Sequence, residues 1–130
     1  MRILVAEDDS VSRKFMHEFL SNYGECDVTK DGIEAIEAFI MALDLDKPYD
    51  LVCLDVMMPK VDGIKVLKAI RDLENIREIE SENRVKIIVT TALANIDFIN
   101  SSFQTGLEAY MEKPIDLDAF EDIMKKMKLL

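Results

Sequence analysis

Short continuous apolar runs alternate with stretches whose apolar residues recur every three or four positions, and the alternation repeats along the whole chain. Ile3 to Ala6 is apolar without a break, the pattern of a strand covered on both faces. Ser10 is placed to cap a first helix carrying Val11, Phe15 and Phe19 at four-residue intervals, closed by Gly24. Cys26 to Thr29 alternates as a short edge strand. Asp31-Gly32 opens a second helix with Ile33, Ile36, Phe39, Ile40 and Leu43 on one face, and Lys47-Pro48-Tyr49 breaks it. Leu51 to Leu54 is the most apolar strand and stops abruptly at Asp55. A loop from Met57 to Gly63 leads into a third helix striped by Ile64, Leu67 and Ile70. Glu74 to Arg84 is charged and weakly periodic, and reads as a helix end plus loop, either a solvated extension, the favoured reading, or a partner contact. Val85 to Thr91 is a fourth strand, and Asn95 to Gln104 a fourth helix with a thin stripe of Ile96, Ile99 and Phe103. Ala109 to Met111 is a brief fifth strand. Asp116 caps a last helix carrying Leu117, Phe120, Ile123, Met124 and Met127, with Lys125, Lys126 and Lys128 near its negative end.

Alternating strand and helix units imply an α/β fold, a doubly wound parallel sheet with helices on both faces and right-handed crossovers. Length supports one core: 130 residues with 49% hydrophobic and 32% charged side chains fit a single domain, 1–130, without a second module. The balance of 16 basic against 26 acidic residues, a net −10, argues against direct nucleic-acid binding and against an anionic membrane surface. No apolar run approaches the roughly 20 residues of a membrane span, and the start is too short for a signal peptide, so the expected location is cytoplasmic. Cys26 and Cys53 both fall in strand-like stretches and read as small buried hydrophobes.

The chemistry lies in what ends each strand. The first runs into Glu7-Asp8-Asp9, the third into Asp55, the fourth into Thr91 and the fifth into Lys113. The carboxyl ends of parallel strands share one edge, where ligands of such sheets bind. Two carboxylates 4 Å apart repel by about 4 kcal/mol at an effective dielectric of 20, and one lysine does not offset three. Mg²⁺ suits such an oxygen-rich cluster. With an ammonium and a hydroxyl, it forms a set matched to the three equatorial oxygens of a phosphoryl group in transfer. Asp55, alone at the end of the central strand, is the candidate nucleophile that would form an acyl phosphate, with Glu7 and Asp8 holding the metal.

These residues, with Arg13, Asp31-Gly32, Met58-Pro59, Asp62-Gly63, Thr91-Ala92 and Tyr110 before Lys113-Pro114, resemble the receiver domain of two-component response regulators from residue 2 to about 128. The resemblance implies a flavodoxin-like strand order 2-1-3-4-5 with five helices. It makes Asp55 the residue phosphorylated by a partner sensor histidine kinase or phosphotransfer protein. Asp8 would be a direct Mg²⁺ ligand, Glu7 a ligand acting through water, and the Met57 carbonyl the third protein ligand. Thr91 and Lys113 would hold the phosphoryl oxygens, Tyr110 would be the switch aromatic, and the Lys113-Pro114 bond would be cis. The strand order would also put an intervening strand between Cys26 and Cys53, too far for a disulfide. Without an output domain, the signal would pass to an unidentified downstream protein through the face of the fourth helix, fifth strand and last helix.

Two positions depart toward apolar character: Met57, two beyond the phosphoacceptor, and Leu93, two beyond the threonine. Neither can orient an attacking water, so the expectation is a phosphoacceptor with slow self-dephosphorylation and not a true enzyme. A Mg²⁺-dependent aspartyl-phosphate phosphatase of the haloacid-dehalogenase type is the main rival, but it needs a second Asp where Met57 stands. An FMN carrier of flavodoxin type would face repulsion of its phosphate by Glu7-Asp8-Asp9. A degenerate receiver used only for binding is disfavoured because every chemical position is filled.

Overall fold

A computed structural model describes residues 1–92 and 106–130. In chain order these form β1 (Arg2–Ala6), α1 (Ser10–Leu20), β2 (Glu25–Thr29), α2 (Gly32–Asp44), β3 (Leu51–Asp55) and α3 (Gly63–Ile76). A 3-10 turn (Ser81–Asn83), β4 (Lys86–Thr91), β5 (Ala109–Glu112) and a C-terminal helix (Leu117–Lys126) follow. All strand pairs are parallel, in the order β2-β1-β3-β4-β5, as expected. The fourth helix expected over Asn95 to Gln104, and Leu93, lie outside the described residues.

Strand alternation sorts the core into two layers. Leu4, Ala6, Val52, Leu54, Ile87 and Val89 pack with Phe39 of α2 and Leu67 and Ile70 of α3. Ile3, Val5, Leu51, Cys53 and Ile88 face the other way, against Met16 and Leu20 of α1 and Phe120 and Met124 of the C-terminal helix. This two-sided cover is why β1 and β3 carry unbroken apolar runs. Asp31, Asp62 and Asp116 cap their helices by accepting backbone N–H bonds from the first turn. The last helix also carries Lys125 and Lys126 in its final turn.

Three expectations change. The cap of α1 is Asp9, whose side chain accepts from the Ser12 N–H at 2.8 Å, and Ser10 is the first helical residue. The carboxylate one residue earlier reaches the free N–H of the first turn, and the helix starts there. The stripe Val11-Phe15-Phe19 is not the core face of α1: Met16 and Leu20 are buried, Phe19 packs partly against them, and Val11 and Phe15 remain 76% and 43% exposed. A four-residue step drifts by about 40° per step, so residues eight apart lie about 80° apart around a helix of 100° per residue. The stretch 74–84 is a helix end and an extension exposed at 75–78 and 80–83, as expected, but Glu74 at its head is not solvated. It is 1% exposed and receives the Val85 N–H at 2.9 Å and Arg71 Nη1 at 2.6 Å. Arg71 also donates to the Val85 and Gly106 carbonyls and pairs with Glu108, tying α3 to the starts of β4 and β5. Cys53 is buried and Cys26 only partly so, and both are free thiols.

Candidate functional site

Strand register brings the carboxylates together. Val5 pairs with Cys53, so two residues further along each parallel strand Glu7 and Asp55 come level on the same side of the sheet. Asp55 itself pairs with Thr90. Thr91 pairs with Glu112, and the Lys113 N–H donates to the Thr91 carbonyl at 2.8 Å. The sites named from sequence therefore converge: carboxylate oxygens of Glu7, Asp8 and Asp55 lie within 4.8 Å of one another. Lys113 Nζ sits 3.0 Å from both Glu7 oxygens and 3.3 Å from Asp55 Oδ2. Thr91 is buried beside this edge, while Tyr110 on β5 is 38% exposed. The Met57 N–H donates to Asp55 Oδ1 at 3.2 Å, and its side chain is exposed. The Lys113-Pro114 peptide bond is cis.

Backbone fit at the end of β3 is tight. The Gly63 N–H donates to the Val56 carbonyl at 3.1 Å. A Cβ on Gly63 would stand 2.4 Å from the Asp55 carbonyl oxygen, so the start of α3 seats against the Asp55 backbone only because that position has no side chain.

The electrostatics are those of a crowded anionic cleft. Burial pushes the Glu7 carboxyl up to about 7; the Lys113 hydrogen bond opposes this, and the Asp55 charge reinforces it. Burial acts against the Lys113 ammonium, but its bonds to Glu7 and the charge of Asp55 outweigh it and hold the amine above its ordinary value. At 4.8 Å a carboxylate pair repels by about 3.5 kcal/mol at an effective dielectric of 20. Lys113 offsets this for Glu7 and Asp55, whereas among the described residues no cation forms an ion pair with exposed Asp8. A small hard cation would gather all three, and the donor set, carboxylate oxygens open to water on the Asp8 side, is of the kind Mg²⁺ accepts.

Sequence reasoning missed two features. It did not foresee that Lys113 bridges Glu7 and Asp55 directly. Nor did it find the cleft of about 530 Å³ beside the acidic edge, lined by Val11, Phe15 and Met16 of α1 and by Lys113, Pro114 and Ile115. The available signal was the breadth of apolar character on α1, where Val11, Phe15, Met16, Phe19 and Leu20 span more than one face.

The chain matches the family described as response regulator receiver domain over residues 3–125. Sporulation initiation phosphotransferase F of Bacillus subtilis is 31% identical over 130 residues, covering 96% of this chain and 91% of that protein. Response regulator MprA of Mycobacterium avium is 30% identical over 131 residues, and the chain spans only 50% of that relative's length. Among solved structures, the receiver domain of Francisella response regulator 1452 superposes with a TM-score of 0.72 at 29% identity, covering 98% of this chain and 94% of that one. The receiver domain of a sensor histidine kinase from Pseudomonas aeruginosa, with a magnesium ion coordinated in its active site cleft, gives 0.76 at 27% identity, covering 96% and 94%. No helix among the described residues is long and apolar enough to cross a membrane.

Proposed function

Because the chain belongs to the response regulator receiver domain family of two-component systems, we propose that Asp55 accepts a phosphoryl group from the phosphohistidine of a partner kinase or phosphotransfer protein in a Mg²⁺-dependent step. The observation that carries this reading is the meeting of Asp55 with Glu7, Asp8 and Lys113 at one strand edge. A carboxylate oxygen of Asp55 forms the new O–P bond as the P–N bond of the donor breaks, its electron pair remaining on the imidazole. When bound, Mg²⁺ supplies positive charge against the phosphoryl oxygens and the carboxylates. Glu7 and Asp8, with the Met57 carbonyl, would hold it. Lys113 shifts from its carboxylate partners toward a phosphoryl oxygen, and the Thr91 hydroxyl supplies a further donor. Tyr110 then turns inward as Thr91 is drawn to the phosphoryl group, altering the surface around β5 that a downstream protein reads.

A donor protein must bring its histidine to Asp55. The cleft between α1 and Pro114-Ile115 supports docking there, because it presents Val11 and Phe15 to solvent and runs up to Glu7 and Lys113. Apolar Met57 offers nothing to orient a hydrolytic water, which favours a long-lived acyl phosphate.

Incubation with a small phosphodonor tests the chemistry. Wild type plus Mg²⁺ gains one phosphoryl group, stable in acid and labile in base, located on Asp55 by peptide mass analysis. Chelator or Asp55→Asn abolishes the gain. Incorporation at another residue, or incorporation that ignores Mg²⁺, overturns the reading.

A further inference from the structure

Asp8 is the least restrained of the three clustered carboxylates. Glu7 and Asp55 are buried and bridged by Lys113, while Asp8 stands exposed on the turn between β1 and α1. One side chain reaches back to hold that turn. Arg13 Nη1 donates to the backbone carbonyls of both Glu7 and Asp8, at 3.0 and 3.2 Å. The Arg13 N–H simultaneously donates to the Asp9 carbonyl at 2.8 Å, and the Asp9 side chain caps the same helix. The first turn of α1 and the acidic turn are thereby locked into one unit, with the guanidinium spanning the two peptide units that carry the acids.

We propose that Arg13 is a positioning residue: by clamping the Glu7 and Asp8 carbonyls it sets where the Asp8 carboxylate stands relative to Asp55, and so the affinity of the edge for Mg²⁺. This rests on the reading of Glu7, Asp8 and Asp55 as a Mg²⁺ site. Two roles of the guanidinium predict opposite signs. As a bare charge near a cation site it would repel Mg²⁺, and its removal would tighten binding. As a clamp it pre-orders a ligand, and its removal loosens binding, since partners that orient a metal ligand commonly change affinity by roughly 10- to 100-fold. The bonds run to main-chain oxygens of the ligand residues themselves, and the clamp therefore dominates.

The test titrates Mg²⁺ alone into wild type, Arg13→Met, Arg13→Gln, Arg13→Lys, Lys14→Gln and Asp8→Asn by calorimetry, with melting curves in chelator and in saturating Mg²⁺. Arg13→Met and Arg13→Gln are expected to bind roughly tenfold more weakly. Arg13→Lys, which keeps the charge but lacks the planar fork, falls between them and wild type. Lys14→Gln, which removes a neighbouring exposed charge without touching the turn, binds as wild type or slightly more tightly. Melting in chelator changes little in the Arg13 variants, and only the Mg²⁺-induced rise shrinks. A merely structural role would lower both curves together. Unchanged or tighter Mg²⁺ binding by Arg13→Met and Arg13→Gln, while Asp8→Asn loses it, overturns the clamp and leaves the metal site standing. Absence of Mg²⁺ binding in wild type overturns the metal site and the clamp with it.

Discussion

Glu7 should make the metal-free protein lose stability as the medium turns alkaline. Its carboxyl is raised from 4.5 to about 7 in the folded chain, with burial the first cause. Between those values the folded state keeps a proton that the unfolded chain has released. Stability therefore falls as pH climbs through this window, and the whole penalty is present above about 7. At 1.36 kcal/mol per unit the displacement corresponds to about 3 kcal/mol, and screening by water at the open side of the cleft reduces it to about 2. Glu7→Gln keeps the shape and removes the titration. In chelator at pH 8 the variant should be about 2 kcal/mol more stable than wild type, roughly 8 °C in melting temperature for a chain of this size. Near pH 4.5 the two should coincide. Saturating Mg²⁺ should reverse the ranking at pH 8, because wild type then gains a ligand that the amide supplies poorly. Urea unfolding across pH 4.5 to 8.5, with and without Mg²⁺, gives the full comparison. A Gln variant destabilised at pH 8, or offset equally at every pH, would show that the Lys113 pair outweighs burial and would refute the reasoning.

Arg71→Met removes the guanidinium that faces buried Glu74 and should destabilise the fold by about 3–5 kcal/mol in urea unfolding, with part restored by adding Glu74→Gln. A loss under 1 kcal/mol would mean this network does not hold α3 to the sheet. Gly63→Ala drives a Cβ against the Asp55 main chain and should lower stability by about 1–3 kcal/mol while slowing phosphorylation by a small phosphodonor; wild-type behaviour in both measurements would count against the close fit. Replacing Met57 by Asn together with Leu93 by Glu should speed loss of the phosphoryl group, followed by decay of the phosphorylated mass. An unchanged half-life would sink the link between apolar neighbours and a long-lived acyl phosphate.

The sheet and the convergence at its edge were legible because each rests on short apolar runs and on the polar residues that end them, both properties of local sequence. Glu7 and Asp55 could be placed at one rim from the ends of two apolar runs alone, and the register then set them level. Which arc of a helix faces the core is less accessible. Spacing groups Val11 with Phe15, yet the decision falls to Met16 and Leu20, which meet Phe120 and Met124 from a helix about a hundred residues away. Glu74 fails for a related reason. Charge in a weakly periodic stretch resembles a solvated loop, and only a partner outside the segment, Arg71, makes its burial tolerable. The Arg71–Glu74 spacing of three residues was the one local hint. Arg13 acts through main-chain oxygens, which leave no trace in side-chain patterning.

The position of β5 divides the labour of the sheet. Asp55 ends a strand hydrogen-bonded on both flanks, between β1 and β4. Tyr110 lies on an outermost strand, with Lys113 directly after it, and among the described residues its ladder runs to β4 alone. A displacement of that margin disturbs one set of rungs, not two. On the proposed function, the carboxylate that takes the phosphoryl group therefore sits two strand positions away from the margin that carries Tyr110, within a single layer.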